Sequence, residues 1–456
     1  MHKRDELSTP ALDGPTCRAA ILVFCCGLVV RLWVSAVTYA TPISDFAGYR
    51  TLAEDWLATG GFGHGGSLAY RTPAYPGFLA LTFRAAGPSP EAVAVVQAVM
   101  GAVTSALVVL LAGAMLGVVG STIAGLMHAL SPTAVGYVPL LASENLASLL
   151  IVGALLLLAV SRENSPRYLL ACASAALYGL LLLVRPAALF ALPAFAFVSA
   201  YSPSRRIWLP RRLGAFLLVI GVTLTPWLAR NQRMGLGFPV LSTNSGMNLW
   251  MGNNDRARTG GWRPAALDRQ HLGEAERNRA YLSAAADWIR CHPRDYLRMC
   301  ARRAWRLFGT EPDAMLARQF LTTYGDDLAV VGQYRANRGG PPLSPDTATR
   351  ARLVQEHNLA FLWAVRCVVS PLVLIGLLWS ARQWRRYSLV VLPALSYLVG
   401  LSITYAEPRF RELSDPLLIV PVAGLLQTRW YRISTGSYRP PAKPHQPAEG
   451  GVLNSD

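Results

Sequence analysis

The sequence predicts an all-α polytopic membrane protein of about ten transmembrane helices, topped on the outer side of the bilayer by a cap of short helices. Three observations predict it. Hydrophobic residues fill 52% of the 456 positions and charged residues 15%, and mean hydropathy is +0.31, proportions of a chain solvated largely by lipid. Apolar runs long enough to cross a hydrocarbon core of about 30 Å recur along the chain. Between them, arginines occupy alternate short links and acids the others, as expected when basic links stay cytoplasmic. The net charge of +17 would suggest a nucleic-acid partner in a water-soluble protein; confined to links between apolar runs, it does not.

A polar segment, 1–18, with Lys3, Arg4 and Arg18, precedes the first run at 19–37. That run reads as an uncleaved helix, because it is too long for a signal-peptide core and is interrupted by Arg31, which is expected to snorkel or to pair inside the bundle. A first external loop at 40–77 holds Asp45, Glu54, Asp55 and a glycine-rich stretch, and ends on Arg71 and two prolines. The apolar stretch 78–83 is too short to span and finishes the loop or lies at the interface. Runs at 92–118, 121–138 and 145–160 then alternate, which leaves Glu144 at the outer mouth and a link with Arg162 and Arg167 inside. Residues 169–184 and 187–200 form the next pair, hinged at Arg185-Pro186, since proline disfavours a helical residue before it. A link with Arg205, Arg206, Arg211 and Arg212 follows, and 213–228 crosses outward.

The organisation read from this is a cytoplasmic segment at 1–18, a transmembrane catalytic module at 19–228, a large external loop at 229–358, C-terminal spans within 359–427 and a disordered cytoplasmic tail at 428–456. With the N-terminus inside, Asp45, Glu144, the large loop and the turn at 407–415 meet on one face. Within the large loop, 276–308 carries apolar residues at helical spacing among arginines, with His292-Pro293 dividing it, the pattern of two amphipathic helices lying on the outer leaflet or of a small helical cap. On one continuous helix Cys291 and Cys300 would stand about 13 Å apart; Pro293 is able to start a new helix between them, so their pairing stays open. The seven histidines are scattered without zinc-type spacing, and no metal or other cofactor is expected.

The meeting of acids and arginines at one membrane face suggests chemistry. A carboxylate such as Asp45 can take a proton from a nucleophile, a second such as Glu144 can orient it or tune its pKa, and guanidinium groups can bind an anionic head group bidentately. The bland readings are a solvated helix cap for Asp45 and a pair with an arginine such as Arg185 for Glu144. With Arg71 holding a phosphate leaving group, a single carboxylate base predicts inversion at a sugar carbon. A lipid-sugar flippase or a polysaccharide polymerase is the competing class; a flippase should show inverted repeats or polar residues deep in the spans, and neither pattern is present.

Asp45, Tyr49, Ala53, Trp56, Gly60, Phe62 and Gly63, then the run from Tyr70 and Arg71 through Pro73 to Pro76, resemble the first external loop of GT-C-fold glycosyltransferases that use polyprenyl-phosphate sugars, the group of aminoarabinose transferase and the protein O-mannosyltransferases. Ser143-Glu144-Asn145, Pro226-Trp227, the stretch from Asn248 to Asn254, His292-Pro293 with Arg302 and Arg303, and the turn with Glu407, Arg409, Arg411 and Asp415 agree in order. The resemblance implies a polyprenyl-phosphate sugar donor and a lipid, glycan or protein acceptor, at a site on the periplasmic or exterior face of the cell's inner (plasma) membrane. It implies Asp45 and Glu144 as the catalytic acids, Arg71, Arg409 and Arg411 as donor-phosphate contacts, and Tyr49, Tyr70, Asn248 and Asn253 as substrate contacts. The chain departs from the protein-mannosylating branch at Phe46, where an acidic pair is usual, and this puts a protein acceptor in question.

Overall fold

A computed structural model describes residues 13–39, 45–161, 168–202, 207–208, 210–258, 272–319, 321–322 and 345–435. Helix α1, Gly14–Val37, starts under a cap in which the Asp13 carboxylate accepts the Thr16 N–H at 2.9 Å, with a proline in the first turn. One face of α1 is buried, while Ile21, Leu22, Val29 and Trp33 stand exposed, an outer surface suited to lipid and not to water. Arg31 is fully buried. Its guanidinium donates to the backbone carbonyls of Gly27 at 3.1 Å, Ala129 at 3.0 Å and His128 at 3.3 Å, so it neither snorkels nor finds a carboxylate. Gly101 makes room for it: a Cβ there would collide with the Arg31 side chain.

The stretch 40–77 is not one loop. Helix α2, Asp45–Thr59, occupies its first half, burying Phe46, Leu52 and Ala53 on one side and carrying an Arg50–Glu54 pair at 2.8 Å one turn apart on the other. The stretch 78–83 belongs to α3, Ala74–Ala86, which packs on α2. Sequence reading missed α2 because its apolar stripe is only three residues wide and is followed by glycines, which look like loop.

The next element, α4, Pro90–Ala129, is two helical limbs joined at a non-helical residue, Gly117. Along a straight helix, positions 105 and 128 would be roughly 35 Å apart. Here Ser105 Oγ lies 2.9 Å from His128 Nδ1, and Gly125 abuts Val109. The chain reverses at Gly117, whose φ of 71° an L side chain rarely adopts, and so makes two antiparallel limbs, the second ending at Ala129, short of the span expected over 121–138. A short α5, Pro132–Gly136, leads to α6, Glu144–Ser161. Helix α7, Tyr168–Val184, breaks at Arg185-Pro186 into a 3-10 turn and α8, Leu192–Ala200. Helix α9, Pro210–Arg233, runs past the expected boundary at 228.

Above the bundle lie α10, Ser245–Gly252, α11, Glu274–Cys291, α12, Pro293–Phe308, and α13, Ala314–Gln319. His292-Pro293 divides α11 from α12 as expected, and Cys291 and Cys300 are not bridged. Helices α14, Pro345–Ala381, α15, Trp384–Thr404, and α16, Asp415–Thr435, complete the chain, the last extending beyond the expected end at 427. Two antiparallel pairings of two residues each are the β-structure among the described residues.

By length and composition, six described helices can cross a membrane, α4 being counted once although it folds back. The protein is a multi-pass membrane protein. Helix α6 sits centrally, 78% of its apolar window buried, whereas α1, α9 and α14 bury 28%, 22% and 28% and form the rim. Arg162, Arg167, Arg205 and Arg206 of the links expected to be cytoplasmic, Trp262 of the large loop and the tail beyond 435 lie outside the described residues.

Candidate active site

Between the bundle and its cap lies a cavity of about 660 Å³. Asp45 enters it from the first turn of α2, Arg71 from the strap between α2 and α3, Glu144 from the first turn of α6, Arg185 from the break after α7, and Arg409 from the 3-10 turn Pro408–Leu413. Each stands at a chain break or helix start. There the backbone leaves the bundle, and a charge can face a cavity rather than hydrocarbon.

Asp45 is the centre of this group. One carboxylate oxygen accepts from Arg71 Nη2, the other from Arg409 Nη2 at 2.7 Å, and the side chain keeps 22% exposure, so a ligand in the cavity can reach it. Burial alone would raise its carboxyl pKa, but the Arg409 and Arg71 guanidiniums hold it well below the usual carboxylate range. Burial likewise disfavours the Arg409 cation, yet the Asp45 carboxylate keeps its pKa well above the ordinary value. Arg409 Nε, buried 3.7 Å from Glu407, makes no hydrogen bond. Arg71 is sheathed by the rings of Tyr49 and Tyr70, at 5.3 and 5.2 Å, which restrain the guanidinium without using its donors. Beside them, Arg185 Nη1 approaches Glu144 at 3.2 Å as an ion pair without hydrogen-bond geometry.

The walls differ. Pro186, Ala187, Leu189, Phe190 and Leu401 make an apolar flank, and Leu189 is exposed at the surface. Asn244, Ser245, Asn248 and Asn278 make an uncharged polar flank under the cap. Asn278 uses its carbonyl oxygen on Gly246 N–H at 2.7 Å, and the Asn248 side chain has no partner among the described residues. The strap bearing Tyr70 and Arg71 is tied to this flank: Glu274 accepts the N–H groups of Leu68 at 2.5 Å and Ala69 at 3.0 Å together with the Thr243 hydroxyl, and Ser242 donates to Tyr70 O at 2.8 Å. From α9, Arg230 donates to Leu68 O at 2.9 Å and Phe62 O at 2.5 Å.

Of the residues singled out in the sequence, Asp45, Glu144, Arg71, Arg409, Tyr49, Tyr70 and Asn248 line this one cavity. Arg411 and Asn253 do not. Arg411 turns away and gives its donors to the carbonyls of Arg306, Leu307, Gly309 and Glu311, the end of α12 and the turn after it. Asn253 is fully buried and bonded to Leu249 O, Thr404 O and the Arg303 guanidinium. Sequence reading missed Asn278 and Glu274, which sit in an ordinary polar helix and only tertiary packing brings here. It saw Arg185 and Glu407 without a site role; the break of an apolar run at Arg-Pro was the available signal for the former. Among the described residues no group of three or more His, Cys, Asp or Glu side chains could hold a metal ion.

Residues 70–229, about a third of the chain, match the family described as dolichyl-phosphate-mannose-protein mannosyltransferase. This segment contains Arg71, Glu144 and Arg185; Asp45 and Arg409 lie outside it. No match is found among the curated proteins. The chain is similar in structure to the Archaeoglobus fulgidus oligosaccharyltransferase tethered to an acceptor peptide, with TM-score 0.50, 13% identity, and coverage of 91% of this chain and 51% of that one. It is also similar to ArnT from Cupriavidus metallidurans bound to undecaprenyl phosphate, with TM-score 0.41, 14% identity, and coverage of 89% and 77%. The chain thus spans about half the length of the oligosaccharyltransferase. At such identity the oligosaccharyltransferase likeness is one of fold. The matched segment lies within the region that shares that fold.

Proposed function

We propose that this protein transfers a sugar from a polyprenyl-phosphate-linked donor to an acceptor on the outer face of the membrane, by inverting in-line displacement with Asp45 as base. The observation that carries the reading is the convergence of Arg71 and Arg409 on one small anion, the Asp45 carboxylate, inside a cavity with one apolar and one amide-lined wall. Two guanidiniums at that spacing suit a phosphate oxygen pair as well as a carboxylate. The apolar flank suits the first isoprene units of the donor, and the amides suit sugar hydroxyls, which need donors and acceptors rather than charge.

In the reaction the acceptor's nucleophilic oxygen forms a bond to the anomeric carbon as the bond from that carbon to the phosphate oxygen breaks. The nucleophile's proton passes to the Asp45 carboxylate, and the lipid phosphate leaves with the extra electron pair, its charge met by Arg71 and Arg409. Glu144, neutralised by Arg185, is placed to orient the sugar. Asn253 and Arg411 lie outside the cavity and are expected to act only through the fold.

The test is transfer by purified protein in liposomes supplied with radiolabelled polyprenyl-phosphate sugars, the parent against Asp45→Asn. The variant is expected to lose transfer by on the order of 10³-fold or more, the scale of removing a general base together with its alignment. Transfer that survives at the parent's rate would remove Asp45 from the chemistry. A parent that only moves labelled lipid between leaflets would make the protein a flippase.

A further inference from the structure

In-line displacement sets base and leaving group on opposite faces of the anomeric carbon. The structure holds the base where the leaving group belongs: both carboxylate oxygens of Asp45 are seated on the two guanidiniums that are placed to receive the donor phosphate. One anion fits there at a time. Among the described residues Arg409 Nε has no hydrogen-bond partner and Arg71 gives no hydrogen bond beyond the one to Asp45, so the pair has donors to spare for a ligand with more oxygens than a carboxylate. A phosphodiester presents such a set at equal charge.

On the proposed reaction, we infer that Asp45 is a stand-in for the donor phosphate in the unliganded protein, and that the lipid phosphate frees its own base by taking Arg71 and Arg409 from the carboxylate. The exchange keeps the charge paired with the guanidiniums constant, because one anion leaves them as another arrives, and it adds the phosphate's negative charge to the cavity beside the released carboxylate. It also keeps the base quiet until a donor is present, since a carboxylate held by two arginines is a poor proton acceptor. Asp45 sits in the first turn of α2, and rotation of its side chain about the Cα–Cβ bond is enough to swing the carboxylate away from the guanidiniums.

The competition has a measurable sign. A site occupied by its own carboxylate binds a ligand more weakly by the fraction of molecules in which the guanidiniums are free. Asp45→Asn removes the competitor, so the variant should bind undecaprenyl phosphate, the sugar-free probe, about tenfold or more tightly than the parent while losing transfer. Binding is read by tryptophan fluorescence or native mass spectrometry of the full chain in nanodiscs. Equal or weaker binding by a folded variant that has lost transfer overturns the exchange and leaves the catalytic assignment standing. Retained transfer overturns the assignment itself.

Should Asp45→Asn not fold, the parent decides. Carbodiimide labelling of Asp45 at mildly acidic pH, located by peptide mass spectrometry, should rise several-fold on adding undecaprenyl phosphate, because a freed carboxyl regains a protonated fraction that the paired one lacks. Labelling that stays level or falls overturns the exchange.

Discussion

Arg409 and Arg411 stand two residues apart in one 3-10 turn, the first facing the cavity with 12% of its side chain exposed and the second buried, and the turn puts them to opposite uses. Arg409 meets a carboxylate in a cavity and keeps its pKa well above the ordinary value; Arg411 meets only carbonyls, and burial lowers its pKa to about 10. Arg31 in the first span, on backbone carbonyls, and Arg303 in α12, on backbone carbonyls and the Asn253 amide oxygen, are of the second sort. A guanidinium on carbonyls closes a helix end and has nothing to exchange, because the carbonyls cannot move away without unwinding the chain. A guanidinium on a side-chain anion beside a void can trade one anion for another. The partner and the void, rather than the arginine, separate structure from function here.

The largest effect should fall on the arginine that does no chemistry. Arg411→Gln leaves carbonyls at the end of α12 without donors, each costing on the order of 1–3 kcal/mol when buried. Arg411 serves four such groups, of which Gly309 O keeps the Ser370 hydroxyl as a second donor, and the variant should yield little monodisperse protein in detergent and melt far below the parent by scanning fluorimetry. Arg409→Gln should do the reverse: transfer falls on the order of 10²–10³-fold, the effect of losing one preorganised charge donor, while the melting temperature moves by only a few degrees. Were Arg411→Gln stable but inactive and Arg409→Gln unfolded, the division drawn between the two would be inverted.

A titration sharpens the same contrast. The Asp45 carboxyl is held below its ordinary value of about 3.9, so its pairing stabilises the fold above that pH and the contribution is lost as pH falls through and below it. Carbonyl partners do not titrate. Glu412 opposes the trend: burial, then Asp415 and Asp313, keep its carboxyl well above the ordinary value, so its protonation favours the fold as pH falls. In a Glu412→Gln background, melting temperature measured from pH 6 to pH 3 should therefore drop by several degrees toward the acid end, and adding Asp45→Asn should flatten the curve. A drop of equal size in the double variant would place the acid sensitivity elsewhere.

The sequence carried the bundle well because lipid imposes a coarse, legible rule: runs of apolar residues, broken where arginines collect. Even the reversal at Gly117 was legible, since the runs on either side of it were separate in hydropathy, although the second was drawn past Ala129, where the helix ends. The polar cap was less legible. Helix α2 was hidden among glycines, and α9 and α16 overran their apolar stretches at Arg233 and Thr435, because helices continue past the hydrocarbon for as long as backbone bonding allows. Asp45, Glu144 and Arg71 could be picked out because each is a charge at the edge of an apolar run. That same signal also selected Arg411, since which way a side chain turns in a 3-10 turn is decided by packing and not by composition.

Glu274 is the anionic counterpart of Arg411 and should give the smallest of these effects. It stands in the first turn of α11, spans the gap to the strap, and accepts two backbone N–H groups that no helix or strand satisfies. Glu274→Gln keeps one acceptor oxygen but turns an NH2 toward the other N–H, which should cost about 1–2 kcal/mol, the scale of one unmet hydrogen bond. The strap carries Tyr70 and Arg71, so a loosened tie should raise KM for the polyprenyl-phosphate sugar roughly three- to tenfold with little change in kcat, a loss of preorganised binding rather than of chemistry. A fall in kcat at unchanged KM would instead put Glu274 in the proton path, a role that its place outside the cavity lining gives no reason to expect; a melting shift with intact kinetics would make it a tie for the cap alone. The first outcome keeps Glu274 on the structural side of the line drawn by Arg411, yet shows that a group serving only backbone can still set how firmly an exchangeable arginine is held.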